Sequence, residues 1–303
     1  MSYLAVSSFS LHSALGPLSI ERRGPDGSLA QFTIDFPRQY SIEDFIRLAR
    51  DRAGVRAIEL CQIQFDSRTP ERIAQLRATL DDAGVRLLTV PIDIGDLGHP
   101  NAAWRAQDEE RIEQWFVIAH QLGARYVRVN AGSPGSTVED STRAGVVDSL
   151  CKLGALANSM QLRLLIENHG GTSSTPRFLR SVLEAVGSDR LGLLLDLGNF
   201  EPLVTISHAR FLQADVEDSG VDLEPMYAAI TELAPVADLI HAKSVDPARD
   251  GMPLPDLPRA LSIVAQSGYS GSISVEWEGR LGDPWERTIA IAAEVRRHFP
   301  HLM

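Results

Sequence analysis

Between residues 164 and 171 the chain reads LLIENHGG, an apolar run that stops at a carboxylate, an amide, an imidazole and two glycines. Such a run belongs in a core, so Glu167 and His169 have to emerge at its rim. A carboxylate there is costly unless it is paired or bound to a metal. Three later stretches have the same build: LGLLLDLGN (191–199), ADLIHAKS (237–244) and SISVEWEG (272–279). They present Asp196, His241 and Glu276. Four apolar runs ending in Glu, Asp, His and Glu point to one divalent-metal site. Carboxylates with one imidazole suit a borderline-hard ion, Mn2+ first, with Co2+, Mg2+, Fe2+ or Zn2+ as alternatives. A single acid at a strand end would mean little, because acids are common where strands reach water. Three acids and an imidazole at matching positions mean more.

The elements that must position these residues follow from hydrophobic periodicity and end signals. Strands are predicted over 3–10, 55–60, 85–92, 124–130, within 164–171, and over 191–197, 237–242 and 271–276. Helices alternate with them. One opens at Ser41 with Asp44 as a capping box, and others open at Thr69-Pro70, Thr175-Pro176 and Asp283-Pro284. Thr137 to Asp140 starts the fourth helix, and the helix over 103–122 carries Ile112, Trp115, Phe116 and Ala119 on one face. Eight near-continuous apolar strands alternating with helices predict a parallel sheet, closed as a single-domain (β/α)8 barrel over 1–303. An open doubly wound sheet would call for a glycine-rich first turn, which 7–16 lacks. Two connections are long. The first, about 12–40, holds GPDG between β-prone runs and predicts a hairpin on the first βα loop. The second, 199–222, is acidic and predicts a short helix near 209–212. In a parallel barrel all strand ends share one face, so Glu167, Asp196, His241 and Glu276 can converge from strands five to eight.

The 303 residues carry a net charge of −11, which argues against nucleic-acid or anionic-membrane partners. Cys61 and Cys151 lack metal-ligand spacing and read as plain thiols. The N-terminal stretch has no basic, then apolar, leader pattern, and no apolar run approaches the roughly 18–20 residues that span a bilayer. A cytoplasmic location is therefore the expectation.

IENHGG, DLGN, HAKS and ISVEWEG, with AIEL at 57–60, resemble the xylose-isomerase-like barrel superfamily of sugar phosphate isomerases and epimerases. The family includes ketose 3-epimerases, hydroxypyruvate isomerases, inosose dehydratases and endonuclease IV-type repair enzymes. The resemblance implies that Glu167, Asp196, His241 and Glu276 are metal ligands. It also implies that Glu167 and Glu276 move protons on opposite faces of a substrate through a metal-stabilised enediolate. Many members carry Asp-x-Gly-His on strand six, where this chain has Asp196-Leu197-Gly198-Asn199. Asn199 can bind a hydroxyl but cannot carry a proton. The change also removes a ligand of the zinc endonucleases, whose Asp-x-His pair is not evident in 244–258.

His169 and Lys243 lie two residues beyond Glu167 and His241, facing the same way on a continuing strand. Both are substrate-contact candidates, as are Asn130 and Asn199. The plainer alternatives are a loop-bonded His169 and a Lys243 paired with a carboxylate such as Glu278. Glu59 and Arg128 read as a buried structural pair. His12, His99 and Trp104 are candidates for the pocket mouth, and Trp277 for helix packing. The two long connections set substrate choice or serve a homo-oligomer contact. The leading expectation is a metal-dependent isomerase or epimerase of a small sugar or related polyhydroxy carbonyl compound. The alternatives are a dehydratase of an inosose- or dehydroshikimate-like substrate, and a non-enzymatic ligand-binding barrel.

Overall fold

The computed structural model describes residues 1–24, 26–132, 140–213 and 215–303. Eight parallel strands close on themselves: β1 (Leu4–Ser7), β4 (Ala57–Glu59), β5 (Arg86–Ile92), β6 (Tyr126–Asn130), β7 (Arg163–Glu167), β8 (Leu191–Asp196), β9 (Leu239–Ser244) and β10 (Ser272–Trp277). β1 pairs with β4 on one side and β10 on the other, which completes the ring. The remaining two strands, β2 (Leu18–Arg23) and β3 (Leu29–Ile34), form the antiparallel hairpin predicted in the first connection. Pro25 of its turn lies outside the described residues, as do Thr137, read as the start of the fourth helix, and Ala214 in the acidic run.

Around the barrel run α1 (Ile42–Ala53), α2 (Pro70–Ala83), α3 (Ala102–Leu122), α4 (Asp140–Ser159), α5 (Pro176–Val186), α6 (Leu203–Phe211), α7 (Glu224–Leu233), α8 (Leu257–Gln266) and α9 (Pro284–His298). Their starts follow local chemistry. Ser41 Oγ accepts from Asp44 N at 3.1 Å while Ser41 N donates to Asp44 Oδ2 at 3.0 Å, the reciprocal cap that the sequence predicts. α6 departs from expectation. It begins earlier and is longer than the short helix predicted near 209–212, because Leu203, Val204 and Ile206 supply a buried face ahead of it. The first strand is shorter than predicted. Ser7 Oγ caps a 3-10 turn at Phe9 N, 3.2 Å away, and ends it.

Two apolar layers result. One lies between strands and helices and holds most of the large side chains. The other fills the barrel interior with Ala5, Ala57, Leu88, Tyr126, Leu165, Leu194 and Leu239. Side chains on a strand alternate, so the residue two positions on from each interior residue also points inward. From Ala57, Tyr126, Leu165, Leu194 and Leu239 that step reaches Glu59, Arg128, Glu167, Asp196 and His241. The apolar floor therefore carries a polar layer above it.

The hairpin is latched to α3. Arg23 reaches Asp108 at 2.6 Å, Arg111 reaches the same carboxylate at 2.8 Å, and Arg111 also pairs with Glu21. Trp104 seats the turn: a Cβ on Gly27, whose φ is +86°, would lie 2.5 Å from the indole. The helical ring closes where α1 meets α9, with Phe45 stacked on Trp285 at 6.1 Å between centroids. Phe45 is fully buried. Phe45→Ala is expected to cost about 3–5 kcal/mol, against about 1 kcal/mol for removing the cap in Ser41→Ala. Urea unfolding of both variants checks this; equal losses would mean that the α1–α9 seam contributes no more than a surface cap.

Candidate metal centre

β7, β8, β9 and β10 are consecutive neighbours, and each delivers one of the four predicted ligands to the same rim. Asn168, between Glu167 and His169, locks two of these ends together. Its Nδ2 donates to Asp196 O and its Oδ1 accepts from Asp196 N, each at 2.8 Å. Asp196 then uses Oδ1 to accept from Gly198 N at 2.7 Å, which fixes the carboxylate and leaves Oδ2 toward the site. The IENH motif thus divides its work: Glu167 faces the centre, Asn168 ties the adjacent strand, and His169 faces the cavity.

His241 Nδ1 occupies the middle. It lies 3.7 Å from Glu167 Oε1, 3.6 Å from Asp196 Oδ2 and 3.7 Å from Glu276 Oε2. Nδ1 is buried and has no hydrogen-bond partner, and neither has Asp196 Oδ2. Ligand atoms of Glu167, Asp196 and His241 all lie within 4.8 Å of one another. Buried, orphaned nitrogen and oxygen atoms converging on one point fit a divalent cation, and nitrogen with carboxylate oxygen is a suitable donor set. Glu276 stands at the edge of this group, near enough to complete it.

The electrostatics follow from crowding. Burial pushes the Glu167 carboxyl up to about 8, against the pull of Arg128 and His241. Burial also raises Glu276. Burial alone would lower His241, but the charges of Glu59 and Glu276 outweigh it and hold the ring well above its ordinary value. Two cations steady the acids. Arg128 Nε lies 2.7 Å from Glu167 Oε2, and Lys243 Nζ lies 3.8 Å from both Asp196 and Glu276. Burial opposes the Lys243 charge, yet Glu278, paired with it directly, keeps it strongly basic. Burial likewise would raise Glu278, and Lys243 reverses this, pulling it down to about 2.

Of the other predicted residues, Asn130 and His169 line a cavity of about 470 Å3 above the centre, together with Glu167 and Glu276. Burial lowers His169 to about 4, so its ring is neutral. Lys243 and Asn199 sit behind the acids and do not line this cavity. Asn199 accepts from Lys243 Nζ at 2.9 Å and donates to Glu167 Oε1 at 3.3 Å. Gly198 permits this packing, since a Cβ there would meet Lys243 Cδ at 3.0 Å.

The predicted Glu59–Arg128 pair does not form. Arg128 pairs with Asp93 and Glu167, while Glu59 Oε2 lies 2.9 Å from His241 Nε2. Both side chains do point inward, but strand order places Arg128 beside β7 and Glu59 across from β9. His12 is buried and stacked on Phe9 at 5.0 Å, and Trp104 holds the hairpin. His99 lies against Trp104, 4.7 Å between ring centroids. Trp277 is buried under Arg287, as expected of a packing residue.

Several cavity residues escape sequence reasoning. Asp93 follows the apolar end of β5 and accepts from Asn130 Nδ2 at 3.2 Å; its place just past a strand end was the available signal. His208 and Phe211 enter the cavity from α6, and Leu18, Ile20 and Arg22 enter from the hairpin. No sequence pattern marks which side of these insertions faces inward. Phe36, His12, Phe9 and Phe211 form a ring cluster joining the two insertions.

No helix among the described residues is long and apolar enough to cross a membrane. No protein of curated function matches the sequence. Among solved structures, the chain is similar to an L-ribulose 3-epimerase (18% identity, TM-score 0.65, covering 98% of this chain and 93% of that one). It is also similar to the 3-keto-D-glucoside 4-epimerase of E. coli (15% identity, TM-score 0.62, 84% and 94%). A third is a xylose isomerase-like barrel protein of Mycobacterium smegmatis in complex with magnesium (17% identity, TM-score 0.61, 98% of each chain). These likenesses establish the fold. The family model described as a xylose isomerase-like TIM barrel matches residues 46–298, most of the chain. The protein belongs to the xylose isomerase-like TIM-barrel family.

Proposed function

We propose that the protein is a divalent-metal-dependent isomerase or epimerase of a small sugar or related polyhydroxy carbonyl compound, with Mn2+ the first candidate metal. One observation carries this reading: Glu167 and Glu276 both belong to the carboxylate ring around His241 Nδ1 and both line the cavity. A site that served only to hold an ion has no need to expose two of its acids to a substrate-sized space. The similar structures named for L-ribulose, D-psicose and 3-keto-D-glucoside epimerisation support a carbohydrate substrate.

Glu167, Asp196, His241 and Glu276 would hold the cation. Its contribution when bound is Lewis-acid polarisation of a substrate carbonyl and its neighbouring hydroxyl, which acidifies the adjoining C–H. The protein supplies the rest. Glu167 and Glu276 enter from strands separated by β8 and β9, so they flank the space between them, one to remove a proton and the other to return it. Burial raises both carboxyls, the direction that proton donation near neutral pH requires, while a cation pulls the other way. Arg128 and Asn199 hold Glu167 in place, and Lys243 holds Glu276. His169 and Asn130 supply hydrogen bonds to substrate hydroxyls. The latched hairpin and α6 wall the cavity with Leu18, Ile20 and Phe211, which exclude water from the reacting carbon.

Incubation with ketoses, inososes and keto acids in deuterated water is the direct test. Deuterium should appear at a carbon next to the carbonyl, and Glu167→Gln and Glu276→Gln should each slow its uptake by about 100- to 10,000-fold. Elimination products instead of exchange would replace this reading with the dehydratase. Absence of both metal and exchange would leave a binding barrel.

Metal uptake should depend on pH in a set direction. In the metal-free site His241 binds its proton more tightly than an ordinary histidine, and a metal at Nδ1 must displace it. Affinity for Mn2+ is therefore expected to fall as pH drops from about 8 to 6, with net proton release on binding. Calorimetric titration in buffers of different ionisation enthalpy measures both quantities. Affinity that is flat with pH would remove His241 from the ligand set.

A further inference from the structure

β4 gives no residue to the proposed ligand set, yet it places a wholly buried carboxylate beside it. Glu59 is 0% exposed and points inward, two residues beyond Ala57 of the barrel floor. The β4–β5 register slips between Ile58 and Glu59, so Glu59 pairs with Thr89. Irregularities of this kind beside a site re-aim side chains. In register, its neighbours are Ser7 on β1 and Thr89 on β5, which carry hydroxyls and no charge. A carboxylate in such a place is costly unless a donor meets it. The donor is His241, whose Nε2 lies 2.9 Å from Glu59 Oε2 across the barrel.

That contact decides the orientation of the imidazole. A carboxylate accepts, so Nε2 carries the proton between them, and the opposite ring edge turns Nδ1 toward Glu167, Asp196 and Glu276. A simple stabilising role explains little, because a buried ion pair is often no more stable than an apolar pair of similar volume. Glu59 has no other use in the described structure. Its second oxygen, Oε1, has no hydrogen-bond partner, and Arg128 is engaged elsewhere.

We propose that Glu59 is a positioning residue of the metal centre: it holds His241 with Nδ1 facing the three carboxylates and thereby sets how tightly the site takes a divalent cation. This rests on the reading of the rim as a metal centre. Carboxylates behind a ligating histidine fix its tautomer and raise its basicity, and their loss costs about 10- to 100-fold in metal affinity.

The test uses the full-length protein stripped of metal and titrated calorimetrically with Mn2+, as wild type, Glu59→Ala and Glu59→Gln. Glu59→Ala should weaken binding by about 10- to 100-fold, and Glu59→Gln, whose amide oxygen still accepts from Nε2–H, should recover part of the loss. Should Glu59→Ala fail to fold, Glu59→Asp, too short to reach Nε2, is read in its place with the same expectation. A second measurement needs no metal. With 15N-labelled histidine, the His241 ring signals, assigned by their loss in His241→Asn, should shift in Glu59→Ala and stay near wild type in Glu59→Gln. Mn2+ binding within about twofold of wild type in Glu59→Ala would overturn the proposal, as would unchanged ring signals. A wild-type protein that takes up no Mn2+ would instead defeat the metal-centre reading, and the ring signals alone would then decide the role of Glu59.

Discussion

Three carboxylates within 3.7 Å of one imidazole nitrogen repel one another, and most of the polar architecture at this rim contains that repulsion. Carboxylates this close raise each other's proton affinity and cannot all ionise freely without a cation. The chain supplies partial answers. Arg128 stands beside Glu167, Lys243 stands between Asp196, Glu276 and Glu278, and a backbone N–H holds one oxygen of Asp196. Asn199 links the two halves, accepting from Lys243 and donating to Glu167. None of these groups reaches His241 Nδ1, which stays without a hydrogen-bond partner at the centre.

The two insertions solve a different problem. A barrel rim is open to water, and the proposed proton transfer beside a carbonyl would need a closed, low-dielectric space. An isolated two-stranded hairpin is marginal in water, and every residue of β3 is at least partly exposed. The latch of Arg23, Asp108, Arg111 and Glu21 therefore has to hold the hairpin over the cavity. Its low exposure strengthens it, since ion pairs shielded from water are less screened than surface ones. From the other side α6 contributes Phe211, whose ring meets Phe9, His12 and Phe36. The two walls are thus packed against each other as well as against the barrel, so a change in either alters the shape of the same cavity.

The convergence of Glu167, Asp196, His241 and Glu276 was legible because a parallel barrel turns a one-dimensional pattern into a place. Each of LLIE, LLLD, LIH and SVE is an apolar run ended by a ligand-type residue, and parallel strands bring all such ends to one face. The hairpin was legible from its turn residues. Partners across the barrel were not. Glu59 and Arg128 share inward direction and opposite charge, which is all a sequence offers. Which neighbour each meets depends on strand order around the ring, and that puts Arg128 beside Glu167 and Glu59 opposite His241. The α6 contribution was hidden for a related reason. Leu203, Val204 and Ile206 give a helix its buried face, but nothing local says that His208 and Phe211, further along, turn to the cavity.

On the proposed reading, the charge balance would favour a divalent ion over a proton at His241. Glu59, Asp93, Glu167, Asp196, Glu276 and Glu278 bring six carboxyl groups, crowded enough that burial holds protons on some of them, against the fixed cations Arg128 and Lys243. A proton on His241 offsets one unit of that excess. A divalent cation in its place would offset two and would give the unpartnered Oδ2 of Asp196 a partner. On that reading, the crowding of these carboxyls would favour metal uptake. Some negative charge would remain after that exchange and would act on Glu167 and Glu276 in the direction of tighter proton binding. In the proposed reaction, two acids that alternately hold and release a proton would benefit from that residue of repulsion. Full neutralisation would leave them as weak bases with nothing to drive proton capture.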